Sequence, residues 1–168
     1  MDRLSVHVSV DGLPLHKSSS TQVWPILRKL EQIPEAPVMM VAMFCGTSKP
    51  NDLEPFLRPF VLEANELSQR GLRFGDKIVC FNIRAIIADS PARAFLKATT
   101  NFNGLHGCLK CTCVGEFLKR ERKVIFDSVG ANSRTDAGFR SRECPDHHQR
   151  WRTPLEDLFS GKLPLHCS

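Results

Sequence analysis

Apolar and polar residues alternate strictly at the start of the chain: Leu4, Val6, Val8 and Val10 against Ser5, His7, Ser9 and Asp11. A period of two predicts a strand with one apolar face. Asp11 closes its polar side, and Gly12-Leu13-Pro14 breaks it. Gln22 to Leu30 brings Val23, Trp24, Ile26, Leu27 and Leu30 into a second predicted strand. Pro25 has no N–H to give a ladder, so this strand is expected at an edge or a bulge. Val38 to Cys45 is a strongly apolar third strand, stopped by Gly46. Three strands in succession predict an antiparallel meander.

The period then changes. Leu53, Phe56, Leu57, Phe60, Val61, Ala64 and Leu67 recur at helical spacing. Asn51 is placed to cap this helix, with Glu54 as its capping-box partner. Pro55 falls in the first turn, whereas Pro59 removes an internal hydrogen bond and predicts a kink. Lys77 onward is an Ile- and Val-rich run that reads as a strand buried on both faces. It stops at Asp89, before Pro91, and Ala92 to Ala98 reads as a helix. Beyond it, Asn101 to Gly115 is rich in Gly and Cys. Lys123 to Phe126 is a short strand, residues 128–150 read as extended or loop, and Trp151 to Leu158 as a short helix. The division expected is residues 1–100 as one part of the fold and 101–168 as a Cys/His-containing insertion with an irregular tail.

The resulting order, β-β-β-α-β-α with acids closing the first and fourth strands, is the pattern of a ribonuclease-H-like α/β fold built on a mixed sheet. There the first and fourth strands lie side by side and parallel, so Asp11 and Asp89 are expected at neighbouring strand ends. Paired carboxylates suit Mg²⁺ or Mn²⁺, hard ions that take oxygen ligands. The plain alternative for each is a solvated strand-end carboxylate. Such a sheet needs helices on both faces. Too few follow here, so exposed apolar surface and self-association into a homo-oligomer are expected.

Charge adds a partner. The formal net charge is +5. Between residues 91 and 125, Arg93, Lys97, Lys110, Lys119, Arg120, Arg122 and Lys123 face only Glu116 and Glu121, so this stretch accounts for the whole excess. A phosphate backbone is the natural partner of such a patch; a solvated surface is the alternative. The first residues read as no signal peptide, and no apolar run is long enough to span a bilayer. Seven cysteines, an odd number, favour metal-bound or buried thiols over a disulfide framework.

Several blocks resemble one family. Asp11-Gly12-Leu13-Pro14-Leu15-His16-Lys17-Ser18-Ser19-Ser20 is similar to the first catalytic block of eukaryotic DDE/D-type cut-and-paste transposases, in particular transposon-derived "transposase domain-containing" proteins related to the CACTA-like group. Phe44-Cys45-Gly46-Thr47-Ser48-Lys49-Pro50-Asn51-Asp52-Leu53, Ala88-Asp89-Ser90-Pro91-Ala92-Arg93-Ala94-Phe95-Leu96-Lys97, Gly107-Cys108-Leu109-Lys110-Cys111 and Arg134-Thr135-Asp136 follow in the family's order. The resemblance implies a nuclear protein whose ancestral activity is divalent-metal-dependent DNA strand cleavage and transfer. Asp11 and Asp89 match its first two metal-binding acids. The third lies downstream of the region matched by Leu163-Pro164-Leu165, and no residue here matches it, so the isolated chain is expected to be inactive. Lys17, Arg93, Lys97, Lys119, Arg120, Arg122 and Lys123 are the expected DNA contacts. The alternatives are a non-catalytic DNA- or protein-binding module with a structural zinc, or a gene fragment without a selected role.

Cys108-x₂-Cys111 has the spacing of half a zinc site. His147, His148 and Cys144 are candidates to complete it, with Cys113 and His106 nearer in sequence. Buried free thiols are the alternative. Cys45 and Cys80, in apolar strands, read as core residues.

Overall fold

The alternation at the start of the chain folds as β1 (Arg3–Val10), with Leu4, Val6, Val8 and Val10 buried. The computed structural model describes residues 3–16, 20–149 and 151–158. It continues with β2 (Leu13–Pro14), β3 (Gln22–Leu30), β4 (Met39–Gly46), α1 (Leu53–Arg70), β5 (Leu72–Phe74) and β6 (Lys77–Ile87). These strands form one mixed sheet in the order β2-β3-β1-β6-β5, with β4 along the far side of β3. β1 and β6 are parallel and the remaining pairs antiparallel. The expected meander is present as β1, β3 and β4. The fold is mixed α/β with few helices. No helix among the described residues is long and apolar enough to cross a membrane.

Pro25 sits otherwise than expected. β3 is paired on both sides, to β1 through Val10↔Ile26 and to β4 through Pro25↔Met43. The missing N–H is absorbed by gaps in the ladders. β1 and β2 keep one common register against β3, yet pairing lapses between Val10↔Ile26 and Leu13↔Val23, opposite Pro25. The β3–β4 register shifts immediately afterwards, between Ile26 and Leu27. A proline inside a sheet is tolerated where the ladder is already broken.

α1 buries Leu53, Leu57, Phe60, Val61 and Ala64, one stripe of a 3.6-residue period. Its cap is Asp52 rather than Asn51: the Asp52 carboxylate accepts the Glu54 N–H at 2.9 Å. Pro59 lies within the helix on its exposed side, where water can reach the carbonyl it leaves unpaired. α1 packs against β6 and is the one α-helix among the described residues of its unit. This explains a second departure. β6 is buried on one face only, through Val79, Phe81 and Ile83, while Ile78 is 61% and Ile87 52% exposed. A hairpin at Gly75, whose φ of 59° favours glycine, joins β6 to β5, a strand the sequence pattern did not announce. Among the described residues β4 pairs only with β3, and Met40 is 60% and Met43 53% exposed, in line with the expected exposed apolar surface. Cys45 is exposed on it, not in the core, and Cys80 is disulfide-bonded.

The chain divides into two compact units, residues up to Ala88 with the segment from Pro154, and Asp89–Thr153. In the first, Pro154–Asp157 forms a 3-10 turn, shorter than the predicted helix, that packs on α1 through an Arg58–Asp157 ion pair of 2.7 Å. The second holds α2 (Ser90–Leu96), β7 (Glu116–Leu118), β8 (Lys123–Ile125), α3 (Asp136–Arg140) and a 3-10 turn at Pro145–His147. Here the stretch read as loop contains a helix. Thr135 caps α3 by accepting the Gly138 N–H at 3.0 Å. Backbone bonds between distant loops clasp this unit: Thr100 N–H to His147 C=O at 2.8 Å, Gln149 to Ala98 at 2.8 Å, Thr112 to Asn132 at 2.9 Å, and Gly115 to Leu105 at 2.7 Å.

Candidate metal centre

The Cys-rich loop is pinned before its thiols meet. Arg134 N–H donates to the Lys110 carbonyl at 2.9 Å, beside the Thr112–Asn132 bond, and Arg134 Nε donates to the Cys108 carbonyl, also at 2.9 Å. Residues 110–112 therefore lie against 132–134, with Cys111 opposite Ser133 and Cys108 and Cys113 on either side of this stretch. Cys108 Sγ is 3.3 Å from Cys111 Sγ, and Cys111 Sγ is 3.1 Å from Cys113 Sγ. All three sulfurs lie within 4.8 Å of one another, and Cys113 is only 6% exposed.

A tetrahedral zinc with Zn–S bonds of about 2.3 Å separates its sulfurs by roughly 3.7 Å. The cluster already has that scale, and thiolates are the soft donors that select zinc or copper(I). The protonation pattern is uneven. Burial opposes the thiolate at Cys108, but N–H groups of Cys111 and Lys110 and the neighbouring thiols outweigh it and bring the group down to about 7. Cys113 is pushed up to about 12 by its hydrogen bond with Cys111 and by burial. Hydrogen bonding thus favours a thiolate at Cys108 and disfavours one at Cys113. The predicted pair Cys108 and Cys111 is brought together as expected. Cys113 completes a trio, and the spacing C-x₂-C-x-C was its signal.

His147 and His148 stand outside that trio. With Cys144 and Arg134 they line a cleft of about 480 Å³ in the same unit. His147 is 1% exposed. Its Nδ1–H donates to the His106 carbonyl at 2.6 Å, and its buried Nε2 has no partner. A carbonyl on one ring nitrogen fixes the tautomer and leaves the other a lone-pair donor, the usual arrangement of a metal-binding histidine. Burial holds His147 neutral, down to about 4; the His106 carbonyl opposes this, and Arg134, His148 and Lys97 add to it. His148 is lowered too, by burial and then by Arg142, and its Nδ1 is likewise buried without a partner.

The other predicted residues occupy separate places. Asp11 follows β1, and its carboxylate accepts the Gly12 N–H at 2.8 Å. Asp89 caps α2 by accepting the Ala92 N–H at 2.7 Å. Arg93 lies in α2 and Lys97 ends it. Lys97 Nζ rests 4.8 Å from the centre of the Phe139 ring, its charge disfavoured by burial and by Arg134 and Arg93. Lys119, Arg120, Arg122 and Lys123 gather at the turn between β7 and β8. Lys17 lies outside the described residues. Comparison with known proteins adds nothing to this picture: no family model, curated protein or solved structure matches the chain.

Proposed function

We propose that the chain is a ribonuclease-H-like core of DDE/D transposase descent, a nuclear DNA-binding protein carrying a structural zinc in its Cys-rich unit. The observation that carries the reading is the strand order. The third, second, first and fourth long strands lie as β4-β3-β1-β6, with β1 and β6 parallel neighbours and Ser9 opposite Ile87. Asp11 comes two residues after Ser9, and Asp89 two residues after Ile87. These are the acids that, on this reading, hold Mg²⁺ or Mn²⁺. When bound, such an ion activates a water or hydroxyl oxygen and stabilises a leaving one. The chain's own part is to offer a carboxylate oxygen at each of these acids.

The test is a Mn²⁺ titration followed by paramagnetic broadening of amide signals. Broadening centred on the ends of β1 and β6, strongest around Gly12 and Ser90 and diminished in either Asp11→Asn or Asp89→Asn, supports the reading; asparagine keeps the α2 cap. Broadening spread evenly over all acidic surface residues overturns it. A second reading, a non-catalytic binding module built on zinc, is favoured by the thiol trio and by the helix cap that Asp89 already supplies. Site-specific Mn²⁺ binding at Asp11 and Asp89 separates the two, since neither reading expects the isolated chain to nick DNA.

A further inference from the structure

The basic run that the charge pattern singled out is not a diffuse surface. β7 and β8 pair antiparallel through Glu116↔Ile125, Phe117↔Val124 and Leu118↔Lys123, making a two-stranded ribbon. Lys119, Arg120, Arg122 and Lys123 all lie exposed at its tip, with Glu121 as the one acid among them. Its root holds Glu116 and, just past β8, Asp127. Charge is therefore graded along the ribbon. No ion pair among the described residues ties down any of the four cations.

The root is held firmly. Gly115 N–H bonds the Leu105 carbonyl at 2.7 Å. A Cβ at Gly115 would lie 2.4 Å from the Val124 side chain and 3.0 Å from the Ile125 carbonyl oxygen, so only glycine permits this approach. Cys113, a member of the thiol trio, stands two residues before Gly115. A metal bound by the trio would thus fix the ribbon's base.

We infer that the β7–β8 ribbon is a duplex-DNA-binding wing that enters the major groove with its basic tip. The dimensions match. Three residues rise about 10 Å along a strand, and the major groove is about 8.5 Å deep and about 12 Å wide, enough for a two-stranded ribbon. From the tip, the long Lys and Arg side chains reach back and sideways to the phosphates that line the groove's rims. The inference takes DNA as ligand from the reading above, but it needs neither Asp11 nor Asp89 and is tested without Mg²⁺ or Mn²⁺, so the two fail separately.

The experiment is fluorescence anisotropy of a labelled duplex of about 20 base pairs with the zinc-loaded full chain. A combined variant, Lys119→Gln, Arg120→Gln, Arg122→Asn and Lys123→Gln, removes the tip; asparagine suits the φ of 51° at Arg122. Four phosphate contacts weaken binding about 150-fold between 50 and 200 mM salt, at a slope of about −0.9 per contact. The variant is expected to lose that part of the salt dependence while retaining its zinc. A charge-matched variant, Arg70→Gln, Arg73→Gln, Lys77→Gln and Arg84→Gln, is expected to keep it. Equal losses in both variants overturn the wing. Equal affinity for duplex RNA, whose major groove is too narrow for a ribbon, or for polyglutamate also overturns it.

Discussion

Acidification should destabilise the metal-free protein through His147. The ring is 1% exposed, donates from Nδ1 to the His106 carbonyl at 2.6 Å, and leaves Nε2 buried with no acceptor. A second proton would place a charge there, beside Arg134, His148 and Lys97. The folded group therefore titrates at about 4, against the usual 6.5. With the folded value depressed, the unfolded chain takes up the proton first. Stability is full above about pH 6.5 and is lost as pH falls towards about 4. The whole shift corresponds to about 3 kcal/mol, of which about 2 kcal/mol is gone by about pH 5. Urea denaturation in the presence of a chelator, at about pH 8 and about pH 5, measures it. His147→Asn retains a donor for the His106 carbonyl and removes the titration, so its stability should vary by about 2 kcal/mol less over this range. An unchanged pH dependence in His147→Asn would refute the assignment. Zinc bound through His147 would steepen the acid loss, since a proton must displace the metal.

Three further outcomes follow from the packing and the thiols. Titration with a chromophoric chelator should find one zinc per chain, lost in Cys108→Ser and weakened at least about tenfold in Cys113→Ser, whereas exposed Cys45→Ser leaves it unchanged. Leu57→Ala, at a site 1% exposed, should cost about 2–5 kcal/mol by urea denaturation, against under about 0.5 kcal/mol for Leu62→Ala at 59% exposure. Asp52→Ala should cost about 1 kcal/mol and Asn51→Ala nothing measurable, which distinguishes the observed cap from its neighbour.

The first unit was largely legible in the sequence. Strict alternation marked β1, and a 3.6-residue period marked α1, because each buries one continuous apolar face. The face of β6 was misread because an Ile/Val-rich run looks the same whether one side or both are covered; only the absence of a second described helix decides it. Asn51 and Asp52 are both good caps, and spacing alone does not choose between them. The second unit was less legible. α3 is too short to display a period and buries nothing, and the clasping bonds are between backbone groups that no side-chain pattern records. Cys108 and Cys111 were found by spacing. The state of His147 was not, since it depends on a carbonyl from His106, 41 residues away.

β4 has a consequence for handling the molecule. Met39-Met40-Val41-Ala42-Met43-Phe44-Cys45-Gly46 borders the sheet with neither a charge nor a proline, the two devices that ordinarily blunt such a seam. Its outward row of amides is a template on which another extended chain can be laid down. Loss of soluble material should therefore accelerate more steeply than in proportion to concentration, and one lysine in place of Met40 would act as a gatekeeper.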